Sequence, residues 1–110
     1  MFSSGRPEYT VQEVDALLKS PQPPQLLDLR EAQEWERAHL PGSEPLTQEL
    51  MDGVLQTWDR ATPIVTVCHH GIRSLQAAHF LKKQGFTDVR SMKGGVEAWA
   101  LEIDPRVPRY

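Results

Sequence analysis

The sequence predicts an α/β domain built on a mainly parallel sheet, and three observations carry that reading. Strand-length runs alternate with stretches of helical period along the chain, which is the pattern of a layered α/β domain. Two of the runs, Gln25-Leu26-Leu27-Asp28-Leu29-Arg30 and Pro63-Ile64-Val65-Thr66-Val67, are mostly apolar rather than alternating, as strands covered on both faces are. At 110 residues, without internal repeats or low-complexity segments, the chain is long enough for one core and too short for two, so a single domain over 1–110 is expected.

Taken in order, Met1 to Pro7 is a polar leader expected to be mobile, and Glu8-Tyr9 reads as a short strand. Thr10-Val11-Gln12-Glu13 has the form of a capping box, a hydroxyl at the N-cap and a carboxylate three residues on. Val11, Val14, Leu17 and Leu18 mark one face of a helix over about Val11 to Lys19, which Pro21 stops. Ser20-Pro21-Gln22-Pro23-Pro24 is a rigid surface connection into the first long strand, Gln25 to Arg30. Asp28 and Arg30 are unexpected inside such a run. They either pair with each other at its end or lie beside a site, since sites in open α/β sheets form outside the carboxyl ends of strands.

Further on, Leu50, Val54, Leu55 and Trp58 share a helical face over Thr47 to Trp58, with Gly53 costing about 1 kcal/mol relative to alanine. After the second apolar strand, a helix is expected from about Arg73 to Gln84. Ile72, Leu75, Ala78 and Leu81 form its apolar stripe, which Ala77 and Phe80 widen. Lys82 and Lys83 suit its negative end and Gly85 its C′ position. Thr87 to Met92 reads as a last strand, and Gly94-Gly95-Val96-Glu97-Ala98-Trp99 as a tight turn into a last helix. Prolines keep the tail, Asp104 to Tyr110, irregular.

Hydrophobic residues at 39% and charged residues at 25% fit a globular chain, and a formal net charge of −3 gives no electrostatic reason to expect nucleic acid or a membrane surface as partner. No run approaches the roughly 18 apolar residues that cross a bilayer, and the first residues lack the apolar core of a secretory signal. One cysteine permits neither an internal disulfide nor a multi-cysteine zinc site. A free thiol is best kept in a reducing compartment, so the cytoplasm is expected.

That cysteine is where chemistry is expected. Cys68 follows the apolar strand directly, and His69-His70-Gly71-Ile72-Arg73-Ser74 lead into the next helix. The ordinary reading of a lone cysteine is a small buried hydrophobe, but two histidines, a glycine and an arginine are poor company for an apolar core. A sulfur above a helix N-terminus meets unpaired N–H groups and a partial positive charge. Arg73 adds a cation, and His69 and His70 add two groups that can be protonated. Such surroundings lower a thiol pKa from about 8.5 into the range of roughly 3.5 to 7.5. Gly71 lets the backbone curl so that successive N–H groups point into one anion-binding concavity.

The C-x-x-G-x-R loop, with four residues between Cys68 and Arg73, resembles the active-site loop of the rhodanese family of sulfurtransferases. Phosphatases and arsenate reductases of similar fold have one residue more. A tetrahedral oxyanion has several oxygens to satisfy and a terminal persulfide sulfur is one atom, so the shorter ring favours sulfur. The resemblance extends over nearly the whole chain. It includes Leu27-Asp28-Leu29-Arg30-Glu31, Glu34-Trp35, His39-Leu40-Pro41-Gly42-Ser43, the Gly94-Gly95 element with Trp99, and the Asp104-Pro105 to Tyr110 ending known from short bacterial members. Glu44-Pro45-Leu46 is about two residues shorter than the family pattern, which counts against the short strand usual there.

The resemblance implies about five strands with helices on both faces. It implies a sulfurtransferase that moves sulfane sulfur from a donor such as thiosulfate, through a persulfide on Cys68, to cyanide, a thiol or a protein sulfur carrier. The loop His69, His70, Gly71, Ile72 and Arg73 would hold the anionic sulfur, with Asp28 and Arg30 supporting and His39 a packing residue of the turn. A non-enzymatic sulfur-carrier module and a phosphatase or arsenate reductase are the alternatives. No cofactor is implied. A metal is not expected either, because adjacent histidines in a tight loop rarely converge on one ion and His39 and His79 lie on separate elements.

Overall fold

The computed structural model describes residues 6–107. Five strands form one parallel sheet in the order β1-β5-β4-β2-β3, with β1 Glu8–Tyr9, β2 Gln25–Asp28, β3 Ser43–Pro45, β4 Ile64–Val67 and β5 Val89–Met92. The helices between and after them are α1 Val11–Leu18, α2 Ala32–Arg37, α3 Gln48–Thr57, α4 Ile72–Lys83 and α5 Gly95–Glu102.

Strand periodicity divides the core into two layers. Leu26, Val65, Val67 and Met92 face one side, where they join Val11 and Val14 of α1 and Val96, Trp99 and Ala100 of α5. Leu27, Ile64 and Val89 face the other, against Val54 of α3 and Ala78 and Leu81 of α4. Helices therefore cover both faces, as expected.

The local signals explain most element ends. Thr10 Oγ1 accepts from Glu13 N (3.1 Å) and Glu13 Oε1 accepts from Thr10 N (2.8 Å), which completes the capping box of α1. Thr47 caps α3 through a bond from Leu50 N (3.0 Å). Gly85, at φ +101°, follows the end of α4 in the left-handed conformation that glycine tolerates.

Several expectations are corrected. The strand expected through Arg30 ends at Asp28, because the chain leaves the ladder where the Asp28 carboxylate accepts from the Arg30 backbone N–H (2.8 Å). The short strand that the shortened Glu44-Pro45-Leu46 segment counted against does form. Leu26, Leu27 and Asp28 pair in register with Ser43, Glu44 and Pro45, and Leu46 N donates to Asp28 O (2.7 Å). At this edge of the sheet Pro45 has no inner ladder bond to forfeit.

The stripe of α4 is rotated from the expected one. Ile72 and Phe80 are 71% and 42% exposed, while Ser74, Ala78 and Leu81, at steps of four and three, are buried. Of the leader, residues 1–5 lie outside the described residues. Arg6 pairs with Glu13, and Ser91 N donates to Pro7 O (3.0 Å). In the tail, Val107 is buried against the α1/α5 layer, and residues 108–110 lie outside the described residues.

Leu81 is fully buried beneath β4 and β5. Leu81→Ala is expected to lower the unfolding free energy by about 2 to 5 kcal/mol, measured by urea denaturation.

Candidate active site

Cys68 is the first residue after β4, and Gly71, at φ +97°, is the N-cap of α4. No more than two residues separate them, so the chain must reverse sharply, and glycine makes this possible. A Cβ at Gly71 would stand 3.0 Å from Gly94 N, so there is little space for a side chain. The curled backbone wraps round the sulfur. Gly71 N donates to Cys68 Sγ (3.1 Å) and Ser74 N does so at 3.4 Å.

Ser74 Oγ lies 3.3 Å from Sγ. It accepts from the neutral thiol and donates to the thiolate. Two buried strand residues hold it in place, since Thr66 Oγ1 donates to Ser74 O (2.6 Å) and Ser91 Oγ shares a hydrogen bond with Ser74 Oγ (2.7 Å).

Cys68 is only 3% exposed, and burial by itself pushes its pKa up. The Ser74 hydroxyl and the amides of Ser74, Gly71 and His70 outweigh burial and bring the thiol below its ordinary value. The largest lowering contribution comes from Ser74, one residue beyond the predicted loop, and not from the expected cations.

A second contact sets the orientation of the loop from outside. Val96 N donates to Cys68 O (2.9 Å) and Glu97 N to His69 O (3.1 Å), so the first turn of α5 binds the two carbonyls that open the loop. A trans peptide points its N–H opposite its C=O. Holding His69 O against α5 therefore turns the His70 N–H toward the sulfur. The contact depends on Gly95, where a Cβ would lie 2.3 Å from Cys68 O and 2.4 Å from His69 O.

Cys68, His69, His70, Ile72 and Arg73 line an open cavity of about 350 Å³, with Gly71 on its inner side through the bond to Sγ. The two imidazoles stack at 4.1 Å between centroids. Asp28 and Arg30 stand apart from this mouth. Their fully buried side chains pair through Nη2 to Oδ2 (2.9 Å), and Arg30 Nη2 also donates to Ala38 O (2.7 Å). Asp28 lies opposite Val67 in register, so the pair braces the strand that ends in the cysteine. His39 stacks on Trp35 at 3.8 Å and its Nδ1–H donates to Trp35 O (2.6 Å), which makes it the packing residue of the turn.

Sequence reasoning missed Ser74, Ser91, Thr66 and the α5 contacts. Only Ser74 had a local signal, because counting back four and seven residues from Ala78 and Leu81 places it on the buried stripe of α4.

A parallel α/β domain that presents a buried, hydrogen-bonded cysteine at a strand-to-helix turn defines a class of cysteine-dependent transferases and hydrolases. The comparisons narrow it. The family model for the rhodanese-like domain matches residues 10–102. The chain is 37% identical over 84 residues to thiosulfate sulfurtransferase GlpE of Pseudoalteromonas translucida, covering 76% of this chain and 80% of that protein. Among solved structures, the human single-domain sulfurtransferase TSTD1 superposes with a TM-score of 0.77 at 23% identity, over 89% of this chain and 98% of that one. A rhodanese-like domain protein from Staphylococcus aureus gives 0.74 at 24%, over 84% and 90%. The chain belongs to the rhodanese-like domain family, as an enzyme of the sulfurtransferase type.

Because the thiol pKa is depressed, thiolate is expected to persist below the ordinary thiol range and to disappear as pH falls through the lowered value. Ser74→Ala is expected to move that midpoint upward, read from the pH dependence of iodoacetamide alkylation at Cys68.

Proposed function

We propose that this enzyme transfers sulfane sulfur from a small donor such as thiosulfate to a thiophilic acceptor by a two-step, ping-pong reaction through a persulfide on Cys68. In the first step the Cys68 thiolate attacks the outer sulfur of thiosulfate. The S–S bond of the donor breaks, sulfite leaves with the electron pair, and Cys68 carries a terminal sulfur anion. In the second step a nucleophilic acceptor attacks that outer sulfur and the Cys68 thiolate departs. Cyanide would leave as thiocyanate and a thiol as a persulfide.

The observation that carries this reading is the convergence of the Gly71 and Ser74 amides and the Ser74 hydroxyl on one sulfur atom at the base of a shortened loop. Hydrogen bonds from preorganised amides stabilise the anion as it forms and need no reorganisation at the moment of reaction. In this reading Cys68 is the nucleophile, the loop from His69 to Arg73 holds the transferred sulfur, and Arg73 orients an anionic donor at the mouth. His69 and His70 tune donor choice, while Asp28 and Arg30 only support the strand.

The broad mouth, with exposed Ile72 on its rim, suits an acceptor as large as a protein-borne thiol. No described helix is long and apolar enough to cross a membrane. A free activated thiol is suited to a reducing compartment such as the cytoplasm.

Intact-mass measurement after thiosulfate treatment is expected to show one added sulfur atom, lost again on adding cyanide and absent in Cys68→Ser. Native protein that gains no sulfur, yet hydrolyses an aryl phosphate in a Cys68-dependent way, would contradict the proposal.

A further inference from the structure

We propose that His69, His70 and Glu97 form a site for a zinc-type divalent ion on the rim of the active-site mouth, and that an ion bound there closes the approach to Cys68. The fold brings to the two histidines a third ligand that the sequence did not announce. One ligand atom from each of the three residues lies within 4.8 Å of the others, and His69 Nε2 is 3.9 Å from Glu97 Oε1.

Two imidazole nitrogens and a carboxylate oxygen are a donor set suited to zinc, and three protein ligands leave a fourth position for water or a solute. Ligands at about 2.0 to 2.2 Å from a tetrahedral ion stand roughly 3.4 Å from one another, so the cluster must contract by about an ångström or more. Side-chain torsion can supply this, since His70 is exposed and His69 and Glu97 are half-buried.

The backbone already holds two of the ligands together. Glu97 N donates to His69 O (3.1 Å), so the side chains of His69 and Glu97 leave from two joined points of the loop and α5. In the sequence, Cys68 and its two neighbouring histidines have no further ligand close by. His39 and His79 do lie elsewhere, but the docking of α5 delivers Glu97.

The cysteine sulfur is not one of the three ligands, because it is turned inward onto the amides of Gly71 and Ser74. An ion held by His69 and His70 would therefore occupy the wall of the cavity they share with Cys68, outside the thiolate.

Zinc titration of the 110-residue Cys68→Ser chain, read by competition with a chromogenic chelator, is expected to show one ion per chain. Glu97→Gln and His70→Asn in that background should each weaken binding by more than the roughly 10- to 100-fold that losing an outer-sphere partner costs, with unchanged circular dichroism. In the protein that retains Cys68, zinc should slow alkylation of the thiol, chelator should restore it, and Glu97→Gln should abolish the protection. Absence of zinc binding by Cys68→Ser would overturn the proposal, as would unaltered binding or protection in Glu97→Gln. Neither readout involves sulfur transfer, so the site can fail while the proposed reaction stands, and the reverse.

Discussion

The site depends on the two hydrogen bonds that the first turn of α5 gives to the carbonyls of Cys68 and His69. A peptide group is rigid and two-ended, so a loop cannot direct its amides at an anion unless something else takes its carbonyls. The N-terminus of α5 does this with N–H groups that have no partner inside their own helix. Gly95 is the condition for the approach, because any side chain there would run into the backbone it supports. The cysteine loop is thus oriented by a segment that arrives in sequence some 27 residues after the cysteine.

A second constraint acts from the opposite side. Burial of Cys68 opposes ionisation, and the polar groups that reverse its effect must themselves be anchored, since a buried donor that lacks a partner is costly. Ser74 answers both needs. Its hydroxyl and N–H meet the sulfur, its carbonyl accepts from the Thr66 hydroxyl, and its hydroxyl is hydrogen-bonded to that of Ser91. Three polar residues within an otherwise apolar layer form one connected network between β4, α4 and β5. Networks of this kind confer rigidity when every member is satisfied.

What could be read from the chain was local. The capping box at Thr10 and Glu13, the runs around Leu26 and Val65, the glycine after Lys83 and the cysteine loop each rest on contacts a few residues apart. The parts that were misread depend on where a helix or strand lands. The α4 stripe reads in the sequence as Ile72, Leu75, Ala78 and Leu81, widened by Ala77 and Phe80, and of these Ala78 and Leu81 are buried while Ile72 and Phe80 are exposed. The helix instead turns Ser74 inward to serve the sulfur, which leaves Ile72 at the mouth. The short β3 could not be inferred from its composition. It exists because Leu26 to Asp28 offer it a ladder. Glu97 reads as an ordinary first-turn carboxylate, and only the docking of α5 sets it beside His69.

The central claim is that a ring of inward-directed donors, kept in place by α5, outweighs burial and lowers the pKa of the Cys68 thiol. Titration of the native protein by thiolate ultraviolet absorbance, alongside Gly95→Ala, tests it most directly. The account predicts a native midpoint below that of an unperturbed thiol and a rise toward that value when Gly95→Ala displaces the loop carbonyls while the circular dichroism spectrum is retained. A native midpoint at or above the ordinary thiol value would contradict it.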